Sequence, residues 1–367
     1  MTADTEPATG LLARQRILAL VHTGAVAASA PIEHGQLQPA SLDLRLGAEA
    51  FRVRASFLPG SGASVRERLT SLNPERVSLE RDGAVLEKGI VYIAPLIERL
   101  ALPAGVSGAA NPKSSTGRLD IFTRLIVDGS DAFDAVPESY AGPLWAEISP
   151  RSFSVRVRQG TRLNQLRFRA GGAAPLDAEA IRGRHESRAL VDRPLSVRDG
   201  LIVHVGLAGE PGEVVGYRAI KNSDVIDVDR VAGYAAADFW EPILARQDRR
   251  LVLDPEAFYI LASREKMQIP ADLAAEMAPI DPAIGEFRVH YAGFFDPGFG
   301  QGPDGRPSAR AVLEVRSRDV PFLLEDGQPV GRLVFEKLAD AADELYGAGE
   351  TSNYQHQGLK LSKHFRG

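Results

Sequence analysis

Along most of the chain, apolar residues come in short runs of Val, Ile, Leu and Phe broken by Gly, Pro and Asp. Such runs predict strands joined by turns. Period-two alternation is visible at Phe153, Val155 and Val157, with no regular strand-then-helix rhythm of a parallel sheet. Helical patterns are confined to TGLLARQRILALVHTGAVAA near the start, DFWEPILARQ around Trp240, and LADAADELYG near the end. Arg14 and Arg16 interrupt the first, which reads as an amphipathic helix rather than a leader or a span, since a span needs about 18 uninterrupted apolar residues.

The pattern occurs twice. YIAPLIERLALPAGVSGAA from Tyr92 matches YILASREKMQIPADLAAEM from Tyr259, pairing Pro103 with Pro270 at an offset of 167. The same offset pairs Glu147 with Glu314, Gly160 with Gly327, Leu166 with Leu333 and Phe168 with Phe335. A constant offset over so long a stretch is the mark of a duplicated unit. A mainly β fold follows, with two tandem β-barrel or jelly-roll domains and few short helices. The expected boundaries are 1–170, a linker over 171–195 in GGAAPLDAEAIRGRHESRAL, and 196–367.

At 367 residues the chain is long enough for two such units, and 44% hydrophobic with 25% charged residues is a globular balance. A net charge of −5 and a pI near 5.9 argue against a surface that tracks nucleic acid. No Cys is present, which removes disulfides and thiolate zinc sites, fits a reducing cytoplasm and excludes a zinc deaminase signature. The seven His residues never show the spacing of a helical metal site.

Two places concentrate chemistry. NPKSSTGRLD sets Lys113, Ser114, Ser115 and Arg118 close together after an apolar strand, a grouping that can hold phosphate oxygens through charge-assisted hydrogen bonds. Taken alone, a solvated turn with a serine cap explains it equally well. Glu147, in GPLWAEI, and Glu314, in RAVLEV, are carboxylates within apolar strands, where burial would raise their pKa toward a useful general-base range. The competing reading is an outward-facing Glu on an edge strand. FDPGFGQGPDGRP reads as a long turn whose Asp296 could meet a ligand.

Together these pieces resemble dCTP deaminase, in the superfamily shared with dUTPases. LQPASLDLRLG, with Ser41, Asp43, Arg45 and Gly47, is similar to the family's N-terminal signature, and KSSTGR to its Arg-Ser-Ser-x-x-Arg motif, with Lys113 in place of the first Arg. SYAGPLWAEI resembles the family's Trp-Ser-Gly followed by an apolar strand ending in the catalytic Glu, and QGTRLNQLRF a strand shared with dUTPases. In the second copy, HYAGFFDPGF, AVLEV and the tail ELYGAGETSNYQHQG resemble the same family, with Asn353 where a Lys belongs. The offset puts Ile280, Asp281, Pro282 and Gly285 where the first copy has its phosphate motif.

The resemblance implies hydrolysis of dCTP to dUTP and ammonia. Glu147 is then the proton shuttle, Ser114 or Ser115 the support for the attacking water, and Lys113 and Arg118 the phosphate ligands. Trp145, Asp296, Tyr346 and Gln357 become further nucleotide contacts, and Glu314 the second catalytic candidate. Mg2+ travels with the triphosphate, and neither zinc, nucleic acid nor membrane takes part. The resemblance also implies a homotrimer in which the Ser-Ser-Arg motif of one subunit meets the Glu pocket of its neighbour, with the tail or a composite of both domains closing the site. The alternatives are a dUTPase, a bifunctional enzyme forming dUMP, and a nucleotide-binding regulator without activity.

Overall fold

The computed structural model describes residues 9–172, 174–279, 293–317, 319–348 and 354–366 together with the backbone of 287–290. Ile280, Asp281, Pro282, Gly285 and Asn353 lie outside these residues.

The first half forms two antiparallel sheets around one core. One runs Ala135–Val136, Val106–Pro112, Arg162–Ala170, Ser41–Arg45, Leu37–Gln38, and the other Ile121–Val127, Ala141–Pro150, Val91–Ala101, Glu49–Val53, Glu75–Ser78. Alternation places each side chain: along Val91–Ala101, Ala94, Leu96, Glu98 and Leu100 are buried while Arg99 and Ala101 are exposed. The inward Glu98 is tolerated because Arg45 donates its Nε at 2.7 Å and Gln36 its amide at 2.9 Å. Arg45, part of the N-terminal signature, is thus a structural partner.

The second half repeats the plan. Its sheets run Leu201–His204, Pro329–Lys337, Leu273–Pro279, Phe294–Phe295 and Trp240–Leu244, Val214–Ala219, Phe258–Met267, Ala309–Ser317, Phe287–His290. The offset carries into the strands: Val106–Pro112 answers to Leu273–Pro279, and Arg162–Ala170 to Pro329–Lys337, residue for residue.

Helices are few. Arg14–His22 forms as the pattern predicts, with Ile17 fully buried. The other two predicted helices do not form. Trp240–Leu244 is a strand, because Pro242 cannot serve a helix interior and the segment pairs with Val214–Ala219 while Trp240 packs on Phe153 at 5.4 Å. LADAADELYG stays irregular and lies against the first helix, with Asp340 2.6 Å from Arg16 and Glu344 3.4 Å from Arg14. An unpredicted helix, Val65–Leu72, begins at a capping box of Ser64 and Glu67. Within 171–195, the helix Ala178–Ser187 buries Ile181 in the second core. No helix among the described residues is long and apolar enough to cross a membrane.

The halves are closely joined. Val155 pairs with Ile226 in a parallel register, extending a small sheet across the boundary. The first core continues into Phe239, Trp240, Phe258 and Phe365 of the second half. Ion pairs bridge the join, among them Arg158–Asp227, Arg167–Asp296, Arg169–Glu336 and Arg316–Asp120. Arg169 and Glu336 stand at equivalent places of the repeat, so the two matching strands face one another.

Candidate active site

A cavity of about 600 Å³ opens along this join, and residues of both halves line it. From the first half come Lys113, Ser114, Ser115 and Arg118, placed by the strand Val106–Pro112 and the short helix Ser114–Gly117 that turns the chain into the cleft. From the second come Asp296, Glu314, Tyr346 and Gln357. A single chain therefore gathers the phosphate motif and a buried carboxylate that the resemblance assigned to neighbouring subunits.

Glu314 lies on Ala309–Ser317 with its side chain 8% exposed, and burial pushes its carboxyl up to about 8. The Arg118 guanidinium, its Nε 3.8 Å from the Glu314 Oε1, opposes that rise. Arg118 is itself held on several sides. It donates to Gln357 Oε1 at 2.9 Å and to the Lys360 carbonyl at 3.0 Å, and stacks over Tyr354 at 3.9 Å. Gln357 also gives its Nε2 to the Arg310 carbonyl at 3.0 Å, so both ends of its amide are engaged and it acts on the cavity through Arg118.

Asp296 sits in the turn after Phe294–Phe295. Two glycines make that turn possible: Gly298 (φ +89°) and Gly300 (φ +67°) adopt left-handed backbone, and a Cβ on Gly300 would lie 2.1 Å from the Met267 carbonyl. Burial raises the Asp296 carboxyl, with Arg167 opposing the rise. Burial also raises the Tyr346 phenol beside it, which stays neutral.

The lining and the residues around it hold further charged groups. Lys113 is ion-paired with the buried Asp43, Arg162 with Glu33, and Arg158 with Asp227. Lys363, in the tail, has its ammonium pKa lowered by burial and then by Lys113 nearby. The tail is pinned where Ser362 donates to the Ser115 carbonyl at 2.9 Å and where Phe365–Arg366 pairs with Tyr234–Ala235. Sequence reasoning missed Lys363, Arg162 and Tyr354. The basic residues after Gly358 were the available signal, since they continue the tail past Gln357.

Glu147 and Trp145 do not line this cavity. Glu147 stands opposite Arg124 in the pairing of Ile121–Val127 with Ala141–Pro150, and Arg124 binds its Oε1 at 2.7 and 3.2 Å. Phe133, 3.4 Å from the same guanidinium, covers the pair. Trp145 is buried in a separate cluster with Val65, Leu69 and Ile126. The structure thus places the first copy's Glu in an internal ion pair, away from the phosphate motif that precedes it in sequence.

Comparison with known proteins gives the family of the chain. Residues 8–172 match the model of the N-terminal domain of 2'-deoxycytidine 5'-triphosphate deaminase, and residues 177–365 that of its C-terminal domain. Over 115 residues the chain is 32% identical to "dCTP deaminase, dUMP-forming" of Pseudarthrobacter chlorophenolicus, covering 30% of this chain and 56% of that protein. It is 31% identical over 120 residues to the protein of that name in Halobacterium salinarum, covering 32% and 57%. The chain thus spans little more than half the length of these curated relatives. A crystal structure of 2'-deoxycytidine 5'-triphosphate deaminase from Agrobacterium tumefaciens superposes with a TM-score of 0.86 at 51% identity, covering 90% of this chain and 99% of that one. With both domain models matched in order over nearly its whole length, the chain belongs to the 2'-deoxycytidine 5'-triphosphate deaminase family.

Proposed function

We propose that the chain deaminates dCTP hydrolytically at C4, releasing dUTP and ammonia, and that Glu314 is the proton shuttle. The observation that carries this reading is the meeting of Glu314 with Lys113, Ser115 and Arg118 in one cavity. Glu314 takes a proton from water as it attacks C4 and passes it to N3, then carries the second proton from the new C4 hydroxyl to the amine, which leaves as ammonia. Ser115 supports the attacking water and the tetrahedral intermediate. Lys113, Ser114 and Arg118 bind the triphosphate, which arrives as its magnesium complex, and Lys363 and Arg162 extend that cationic end. Asp296 and Tyr346 face the nucleoside. Zinc has no part in this scheme. In a homotrimer of such chains, assembly would repeat a site already complete in each one.

The test is incubation of the purified protein with dCTP and magnesium, resolving dCTP, dUTP, dUMP and ammonia. Ammonia and dUTP in equal amounts are expected. Names of two relatives specify dUMP, so dUMP with pyrophosphate would revise the product, and unchanged dCTP would overturn the reading. A zinc-selective chelator should leave the rate unchanged, and removal of magnesium should weaken use of the triphosphate.

The pH profile is a second expectation. A general base must be ionised, and burial holds Glu314 protonated until about pH 8. Hence kcat/KM for dCTP should rise roughly tenfold per pH unit below that value and level off above it. An acidic limb at the ordinary carboxylate range, near pH 4, would assign the base elsewhere.

A further inference from the structure

We propose that Arg167, a residue of the first domain, is the positioning residue that fixes the second domain's Asp296 turn for the nucleotide. The inference rests on the reading of the cavity as a dCTP site. Arg167 lies on Arg162–Ala170, away from the phosphate motif, with its side chain only 3% exposed. Its guanidinium crosses the join and makes three hydrogen bonds, all to the second domain. Nη1 donates to the Ala275 carbonyl at 2.9 Å, and Nη2 to the Phe295 carbonyl at 2.9 Å and to Asp296 Oδ1 at 3.1 Å. The plane lies over the Phe294 ring at 4.0 Å. One planar cation therefore ties the strand Leu273–Pro279 to the backbone that enters the turn and to the Asp296 carboxylate, a geometry that a lysine ammonium cannot reproduce.

This grip reaches the ligand through Asp296. Phe294, Phe295 and Asp296 line the cavity, whereas Arg167 does not, so Arg167 acts on the nucleotide only through them. Besides burial, which raises it most, the Asp296 carboxylate among the described residues feels Arg167 and Lys113, which favour its charge, and Asp43, which opposes it, and it couples to the neutral Tyr346 phenol. Lys113 is already ion-paired with Asp43, which leaves Arg167 as the principal counter-charge. Without it, the burial that already raises the Asp296 carboxyl would act with less opposition, so the carboxyl would be raised further, and the turn would lose its anchor.

A purely structural clamp would alter stability alone, so the test reads dCTP binding against pH. It uses the Glu314→Gln protein as parent, which should bind without turning over and has no Glu314 to titrate. Titration calorimetry with magnesium and dCTP is run from pH 5.5 to 8.5 on the parent and on parents carrying Arg167→Met or Arg167→Lys. The triphosphate's own ionisation is common to all three. Arg167→Met should weaken binding at least about tenfold at pH 7.5 and add a steeper loss, of the order of another tenfold, on going to pH 6. Arg167→Lys, which keeps the charge without the fork, should weaken binding but retain the parent's pH dependence. Adding Asp296→Asn to Arg167→Met should remove the extra acid sensitivity, because the amide does not titrate. If both Arg167 variants match the parent's affinity and pH dependence while only the thermal midpoint falls, the inference is overturned. If Arg167→Met does not fold, unchanged binding by Arg167→Lys does the same. A parent that binds no dCTP defeats the reading of the cavity itself, an outcome distinct from these.

Discussion

Replacing Glu314 by Gln should cut ammonia release from dCTP by at least about 100-fold while leaving nucleotide affinity nearly unchanged, because the amide keeps size and polarity but cannot carry the proton. Glu147→Gln should behave in the opposite way. Its carboxylate is bound to Arg124 at 2.7 Å beneath Phe133 and lines no part of the cavity. Removing that charge should cost about 1–3 kcal/mol of folding stability with turnover intact, because the partly buried Arg124 loses its partner. Steady-state kinetics and urea denaturation of both variants separate the two carboxylates. Loss of turnover in Glu147→Gln with activity retained in Glu314→Gln would return the chemistry to the first copy.

Arg118→Ala should have a comparably large effect for two reasons that can be measured apart. The side chain is nearly fully buried and links the phosphate motif, Glu314 and the tail through Gln357 Oε1, the Lys360 carbonyl and the Tyr354 ring. Its loss removes a cation from the site, so kcat/KM should fall at least about 100-fold. It also removes the charge that opposes protonation of Glu314, so the acidic limb of the profile should move above pH 8. The tail over 354–366 loses an anchor as well, and limited proteolysis should cut there sooner than in the unaltered protein. Arg118→Lys keeps the charge but not the two-pronged grip, and should restore the position of the limb more fully than the rate. A limb that stays in place in Arg118→Ala would show that Arg118 does not act on Glu314.

Much of the architecture was legible because strands record themselves twice in this sequence. The offset of 167 that pairs Pro103 with Pro270 also pairs whole strands in space, since matching alternation forces matching burial. The helices were less legible. DFWEPILARQ has apolar residues at helical spacing, yet Trp240 finds its burial against Phe153 across the domain join and against Phe365 of the distant tail, tertiary contacts that local spacing does not encode. Residues of the site could be named from motifs, but their partners could not. Glu147 and Glu314 look alike in sequence, each a carboxylate in an apolar strand. They part company only when strands pair, because Arg124 then falls opposite Glu147 while His290 falls opposite Glu314. Nor does any local pattern reveal that the first copy's phosphate motif meets the second copy's Glu, since that depends on how two folded surfaces dock. Lys363 and Arg162 escaped notice for the same reason: each reaches the cavity from a segment distant in sequence from the motif it joins.

Mixing two inactive variants tests most directly whether Arg118 and Glu314 of the same chain serve one nucleotide. Chains carrying Arg118→Ala and chains carrying Glu314→Gln, each with a different affinity tag, are co-expressed, and assemblies holding both tags are isolated and assayed for ammonia release from dCTP. With the site closed inside each chain, neither chain can supply an intact pair, so the mixed assemblies should be as inactive as the separate variants, as should a simple mixture if the protein is a monomer. Return of a sizeable fraction of the unaltered protein's activity would mean that Arg118 of one chain works with Glu314 of another, and would contradict a site built within one chain.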